Sequence, residues 1–369
     1  MSDGVGGTVA LPVSPLVTVI GGGAVGGLLA ALLARAGCAV ELVVPERYLA
    51  AYRDGVRVTT AQGAFRQPLA IRTAPSASAA LLVVAVKMPD LETTCRDIGP
   101  ARPAADAAPG QAVQVEPPVL LLQNGLEALN VAARHIPDER LYAAVVELGA
   151  TALAPAEITY AIPGKLIVGA ARPGQLEAAR RVSALLSPAI PTDVTTDVRG
   201  AQRLKLLVNL NNGVGAATGL TIQQLYATRQ GIKLSLDVMR EGLATLDAAG
   251  LAPPVNRRSR ALRLALGLPD ALGIGALRLA RLAMRQRAPV YTSTLQSLMR
   301  QRPSELRWLN GAIVRLSREC GVPAPLNGAV VAAVEALEAR RAGATYVTPA
   351  ELLRSSRALP AALPTQSWS

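Results

Sequence analysis

The stretch VTVIGGGAVGGLLAALLARAGCAVELVV, residues 17–44, decides how the rest of the chain is read. It holds five glycines in the seven residues Gly21–Gly27 and carries no charge before Arg35. The apolar run from Leu16 to Ala34 is long enough, at about 20 residues, to cross a hydrocarbon core. The glycines argue otherwise. They divide the run into a β-branched half, LVTVI, and an alanine and leucine half, which is how a buried strand, a tight turn and a helix are written. Gly21, Gly23 and Gly26 stand at the G-x-G-x-x-G spacing between that strand and that helix. A dinucleotide site uses the first for the turn, the second for close approach of pyrophosphate to backbone, and the third for packing of helix on strand. The helix N-terminus, with Ala24 and Val25 in its first turn, then offers N–H donors to the phosphates. The competing reading is a close-packed glycine turn with no ligand.

At 369 residues the chain suits two domains better than one. Half the residues are hydrophobic and only 3% aromatic, so the cores should be aliphatic and largely helical. Cys38, Cys95 and Cys320 are odd in number, far apart and in no CxxC, which argues against disulfides or zinc and for a reducing compartment. The opening MSDGVGGTVALPVSP lacks the basic start of a secretory signal, and a cytoplasmic location is expected. The net charge of +12 comes mostly from arginines scattered through helical segments, without a lysine run or aromatics to stack on bases. A phosphate-bearing small ligand suits that field better than nucleic acid. The single histidine, His135, sits near DER in an apparent surface turn, which speaks against a histidine acid-base mechanism or a histidine-rich metal site.

Residues 1–15 read as a flexible leader. From 16 to 194, short β-branched runs (VTVI, VELVV, LLVVAV, VLLL, LYAAVV) alternate with helical stretches, the signature of βαβ units and a mainly parallel Rossmann sheet. VRVTT and LAIRT suggest a small hairpin joined through AQGAFRQP, and ARPAADAAPGQAVQVEPP, 101–118, reads as a surface insertion. SPAIPTDVTTDV, 187–198, has the composition of a linker. Residues 195–342 give about six helices, hence an all-helical second domain. The tail, 343–369, is rich in Pro, Ser and Ala and reads as partly disordered.

Several residues are candidates for chemistry. The second strand should end near the adenosine ribose, where an acid favours NAD and an arginine NADP. Glu46 and Arg47 compete for that place; Arg47 and Arg53, with the basic net charge, tilt the choice to NADPH, with NADH left open. Lys87 and Asn124 follow LLVVAV and VLLLQ, at the strand ends where open α/β sheets bind ligands. In RLKLLVNLNNGVGAATG, Lys205, Asn209 and Asn212 fall within about 60° of one another on a helix. Leu206, Leu210 and Val214 face elsewhere, so the three form a polar stripe that is either a solvated face or one side of a site. Glu305, after Pro303 and Ser304, reads as the start of a helix, where the dipole favours a carboxylate.

Taken in order, GGGAVGG, the VK of VAVKMPD, LLLQNGLEALN, GATALAPAEITYAIPGKLIVG, the KLLVN run, TSTLQS and SELRWLNG resemble the ketopantoate reductase family over roughly residues 16–330. That resemblance implies a Rossmann domain followed by a helical domain like that of 6-phosphogluconate dehydrogenase, with the site in the cleft between. It also implies NADPH-dependent reduction of a 2-oxo acid, 2-dehydropantoate first among them. Lys205 would be the general acid, with Glu305 holding lysine and substrate. Asn209 and Ser293 would contact substrate, with Asn212 as a further contact, while Lys87 and Asn124 would stand at the nicotinamide end. The chain departs from the family at Arg203, where a tryptophan is usual, and at Gly213, where a second asparagine is usual. Pro45 replaces an arginine, Ser297 an aspartate, and Ile222 lies near a further substrate asparagine. A β-hydroxyacid dehydrogenase or imine reductase, and a non-catalytic dinucleotide sensor, are the rival readings; QNG and Glu305 weigh against the first, and the pair Lys205 and Glu305 against the second. No metal and no membrane are called for, and a homodimer is compatible with the sequence.

Overall fold

The computed structural model describes residues 14–99, 116–284, 291–340 and 344–358. The leader and most of the 101–118 insertion therefore lie outside the described residues. The β-branched runs of the first half become one sheet. Its strands are β1 (Leu16–Ile20), β2 (Val40–Val43), β3 (Val56–Thr60), β4 (Gly63–Gln67), β5 (Ala70–Arg72), β6 (Ala79–Val84), β7 (Val119–Leu121), β8 (Leu141–Ala154), β9 (Glu157–Ala170) and β10 (Thr192–Val194). Between them run α1 (Ala24–Arg35), α2 (Leu49–Tyr52), α3 (Met88–Asp97), α4 (Ala128–Ala132) and α5 (Leu176–Leu186).

Strands β5-β2-β1-β6-β7-β8 are parallel in that order, the doubly wound arrangement that binds dinucleotides where the strand order reverses. The reversal lies between β1 and β6, so the glycine turn and Lys87 leave the sheet side by side. Leu28, Leu29 and Leu33 of α1 are fully buried in the same core as Val17 and Val19 of β1. Among the described residues no helix is long and apolar enough to cross a membrane. The stretch 17–44 is strand, turn, helix, strand.

Two features of the sheet differ from the sequence reading. VRVTT pairs with GAFRQ, inside the supposed connection, because Gly63 takes a left-handed φ of 131° and turns the chain back after two residues. The AIR of LAIRT instead pairs parallel with β2. The second feature is the antiparallel pair β8 and β9, whose ladder shifts register around Gly149. A Cβ at Gly164 would come 1.7 Å from the Glu147 carbonyl oxygen, so this glycine permits close approach of the two strands.

The second half is helical: α6 (Val198–Thr218), α7 (Ile222–Leu225), α8 (Arg229–Ala248), α9 (Arg257–Gly267), α10 (Asp270–Met284), α11 (Ser293–Met299), α12 (Asn310–Cys320), α13 (Pro325–Glu338) and α14 (Pro349–Ala358). Helix α6 starts at Asp197, whose carboxylate accepts from Gly200 N at 2.8 Å, and stops at Gly219 in the left-handed region, φ 68°. Leu206, Leu207, Leu210 and Val214 are fully buried in a core shared with α8, α12 and α13. Within the tail, Pro349–Ala358 is helical. Thr348 and Glu351 cap α14 reciprocally, with Thr348 N to Glu351 Oε2 at 2.7 Å and Glu351 N to Thr348 Oγ1 at 3.2 Å. Leu352 is buried in the helical core, and Val347 N donates to Ala217 O of α6 at 3.0 Å.

Glu41 is a buried carboxylate in β2. Burial pushes its pKa up, but hydrogen bonds from Ser76 and Thr18 and the charge of Arg72 outweigh that and hold it below the ordinary value. Ser76 donates from both N, at 2.8 Å, and Oγ, at 2.6 Å; Thr18 Oγ1 donates at 2.7 Å. A depressed folded pKa contributes stability above the unfolded value that is lost as pH falls through the folded one. Glu41→Gln is expected to cost about 1.5–3 kcal/mol near neutral pH, with the difference from wild type shrinking below about pH 4. Urea denaturation of both proteins at several pH values checks this; a pH-independent difference would mean the charge is not what stabilises.

Candidate active site

The three glycines of the fingerprint have three separate physical roles. Gly21 adopts φ 110°, and a Cβ there would lie 2.9 Å from the backbone after β6. At Gly26 a Cβ would meet Gly21 O at 2.1 Å and Ala85 Cβ at 2.7 Å, so this residue sets the packing of α1 against both strands. A Cβ at Gly23 would meet nothing within 4 Å. Gly23 is also the N-cap of α1, which has neither a side-chain cap nor an acidic residue in its first turn. The positive end of the helix is thus open to an anion, and the space a side chain would fill is free for one. A dinucleotide pyrophosphate fits this turn.

Beyond β2 the chain enters Glu46, Arg47 and Tyr48. Arg47 is exposed, its guanidinium 5.0 Å from the Tyr48 ring centroid. Arg53 turns away to Asp54, 3.6 Å distant, and does not join the site. Tyr52 donates to Gly22 O at 2.5 Å and fixes the outer wall of the glycine turn. A cavity of about 130 Å³ lies against Gly22, Gly23, Pro45 and Tyr48, and two residues of the helical domain, Arg300 and Arg302, close it. Their order along the chain gives no hint of this, because nothing in MRQRP marks the turn that aims them.

The stripe on α6 faces the sheet edge. Asn209 Nδ2 donates to Asn124 Oδ1 at 3.0 Å, and Asn212 Nδ2 to Ser293 Oγ at 3.2 Å. These four and Lys205 line one cavity of about 390 Å³ that also touches Val25 at the start of α1. Asn124 is held in place by its neighbours: Gln123 Nε2 donates to Val84 O and Val86 O at 3.1 and 2.8 Å, and Gly125, φ 92°, packs on the Trp308 carbonyl. Burial lowers the Lys205 pKa, and the charge of Glu147 partly restores it. Glu147 also receives Arg258 Nη1 at 2.5 and 2.7 Å, an ion pair between β8 and α9. Past Lys205 the space continues into a second, largely apolar cavity of about 620 Å³ bounded by Ile162, Ile167, Leu204, Val208 and Leu262.

Glu305 is not where the sequence reading put it. It precedes a single 3₁₀ turn, Leu306–Trp308, and α12 begins only at Asn310. Its carboxylate accepts from Met88 N at 3.3 Å and faces Lys87 rather than Lys205. Burial raises its pKa, against the pull of Lys87 and of that hydrogen bond. Lys87 itself donates to Ser297 Oγ at 2.6 Å. The residues therefore form two groups: Lys205 with Asn124, Asn209, Asn212 and Ser293, and Lys87 with Ser297 and Glu305. The carboxylate that acts on Lys205 is Glu147, which the sequence reading missed; its place inside a strand carries no local signal. Among the described residues no cluster of His, Cys, Asp and Glu is arranged to hold a metal ion.

Comparison with known proteins shows what the chain is similar to. Residues 17–173 match the family described as Ketopantoate reductase PanE/ApbA, and residues 197–338 match Ketopantoate reductase PanE/ApbA C terminal. A 2-dehydropantoate 2-reductase of Halobacterium salinarum is 28% identical over 320 residues, covering 84% of this chain and 94% of that protein. The crystal structure of a PanE/ApbA family ketopantoate reductase from Ralstonia eutropha superposes with a TM-score of 0.69 at 28% identity, covering 88% of this chain and 99% of that one. D-mandelate dehydrogenase, solved with NADH and anilino(oxo)acetate, shares the fold with a TM-score of 0.71 at 17% identity over 88% of this chain and 99% of its own.

The glycine geometry separates folding from ligand binding. Gly23→Val is expected to fold as wild type does and to lose dinucleotide affinity by about tenfold or more, since the side chain enters open space meant for phosphate. Gly26→Ala should instead lose about 1–3 kcal/mol of stability by overpacking. Thermal melts and NADPH fluorescence titration of both variants check the contrast; equal behaviour would remove the division of roles.

Proposed function

From its membership of the ketopantoate reductase family, to which the chain belongs, we propose that this oxidoreductase reduces a 2-oxo acid to the 2-hydroxy acid with NADPH, 2-dehydropantoate being the first candidate substrate. The observation that carries the reading is the convergence of Lys205, Asn209 and Asn212 from one helix with Asn124 and Ser293 on a single cavity beside Val25. The bound cofactor supplies hydride to the carbonyl carbon. Gly21, Gly23, Ala24, Val25 and Gly26 hold its pyrophosphate, Arg47 stands near its ribose, and Lys87 and Asn124 stand at the nicotinamide end.

Lys205 gives its ammonium proton to the carbonyl oxygen as negative charge develops there, which needs no histidine. Asn209, held by Asn124, and Asn212, held by Ser293, are the donors that orient the substrate. Glu305 acts through Lys87, keeping that ammonium charged and in place at the mouth of the site. The apolar cavity past Lys205 leaves room for a 2-oxo acid with a larger hydrocarbon substituent than a methyl group. A panel of 2-oxo acids, including 2-dehydropantoate and branched and aromatic members, assayed by NADPH oxidation, tests the reading; no turnover with any of them would overturn it.

Lys205→Met is expected to lower kcat by about 100-fold or more, with NADPH affinity little changed. Near-native kcat in the folded variant would remove the mechanism. Only the ammonium form can give the proton, so the rate should fall as pH rises through the Lys205 pKa. Burial already lowers that pKa, and Glu147 opposes the shift. Glu147→Gln removes the opposing charge, so the alkaline limb of the kcat profile should move to lower pH; a shift to higher pH, or none, would mean that Glu147 does not act on Lys205.

A further inference from the structure

The space at the end of β2 is built by both domains. Gly22, Gly23, Pro45 and Tyr48 line it from the sheet, and Arg300 and Arg302 from the segment after α11. That segment ends the helix with two backbone bonds, Gln301 N to Leu298 O at 2.9 Å and Arg302 N to Ser297 O at 3.0 Å. Such an ending places its next residue in the left-handed region, where glycine is usual. Here the residue is Gln301, at φ 53°. A side-chain-bearing residue is thus kept in a strained backbone state, and the turn it makes carries the flanking arginines to one cavity.

Arg300 is not satisfied there, and Arg302 stands exposed beside it. Arg300 has two guanidinium nitrogens, Nε and Nη2, closed off from solvent with no hydrogen-bond partner among the described residues. Arg302 is exposed and donates to the Tyr48 hydroxyl at 3.3 Å. The two guanidinium groups repel each other, and both repel Lys87. Glu305 faces Lys87. Buried donors without acceptors on Arg300, beside the further cations Arg302 and Lys87, are what a site for a phosphate looks like before the phosphate arrives. The position says which phosphate: the carboxyl end of the second strand is where the ribose 2′ substituent of a dinucleotide lies, one turn away from the pyrophosphate at α1.

We infer that Arg300 and Arg302, supplied by the helical domain, bind the 2′-phosphate of NADPH across the interdomain cleft and are the chief determinants of cofactor choice. The inference rests on the dinucleotide reading given above. It moves the 2′-phosphate contact from Arg47, whose guanidinium lies over the Tyr48 ring, to two residues about 250 positions further along the chain. Arginine suits the role because its planar fork meets phosphate oxygens in pairs.

The test uses the full-length protein and direct binding, so that it does not depend on which carbonyl substrate is turned over. Dissociation constants for NADPH and NADH are measured by fluorescence titration for wild type, Arg300→Gln, Arg302→Gln and the double variant. Adenosine 2′-monophosphate and adenosine 5′-monophosphate serve as competing probes. Each single variant is expected to weaken NADPH about tenfold or more and NADH less than about twofold, and the double variant to abolish the preference for the 2′-monophosphate. Lysine at either position should restore part of the affinity, which a merely structural role would not predict. Unchanged NADPH affinity in the folded double variant overturns the inference, and so does an equal loss for both cofactors. If wild type binds neither cofactor, the dinucleotide reading itself falls.

Discussion

The hydrogen bond between Asn124 and Asn209 sets the distance on which the site depends. One amide stands at the end of β7, in a turn held by the two bonds of Gln123 and by the left-handed Gly125. The other is buried on α6, whose opposite side is locked into the helical core. A buried amide left without its partner is expensive, so each side chain holds the other in register. Lys205 is one helical turn from Asn209, and Val25 opens the helix beside the glycine turn. The separation between the glycine turn at the sheet edge and Lys205 on α6 therefore follows from two packed cores joined at an amide pair.

The places where this chain leaves its family's pattern are connected to their neighbours. A side chain at Gly213 would begin 2.3 Å from Asn310 Oδ1, and Asn310 is itself tied to Leu210 O at 3.1 Å and to Asn327 at 3.0 Å. The helical core has closed on that position, and Asn212 is the amide that reaches Ser293 instead. At Ser297 a neutral hydroxyl receives Lys87 where a carboxylate is usual. Opposite charge reaches Lys87 from Glu305 and, less strongly, from Asp90. Glu147 is the carboxylate whose charge reaches Lys205.

How much of this was legible in the sequence follows from the range of the forces involved. The glycine turn, the parallel alternation and the α6 stripe are set by spacing within one or two elements, and they could be read directly. The β8 and β9 hairpin was not read as such, because Gly149, Pro163 and Gly164 break the strand pattern at the places where the two chains approach most closely. The reciprocal cap of α14 is written in TPAE and was passed over because the surrounding composition looked disordered. Glu305 meets Lys87 instead of Lys205, and Glu147 is the acid that acts on Lys205, because which carboxylate meets which lysine is decided by how two domains dock, and no local signal encodes that. The two arginines after α11 are equally silent: their meaning comes from a single left-handed residue between them.

Residues 346–352 bear on the order in which the molecule is made. The Tyr346 ring lies against Gly219, the last point of α6, and Val347 ties back to that helix. Leu352 fills the core that α6 shares with α8. Every strand of the sheet, by contrast, precedes residue 195. During synthesis the sheet domain can close and shelter its glycine turn while α6 still lacks part of its backing, since domains fold as units from the N-terminal end. The helix that carries Lys205 therefore gains its full backing only after the whole sheet domain has emerged, and the two halves of the molecule reach their final packing at different times.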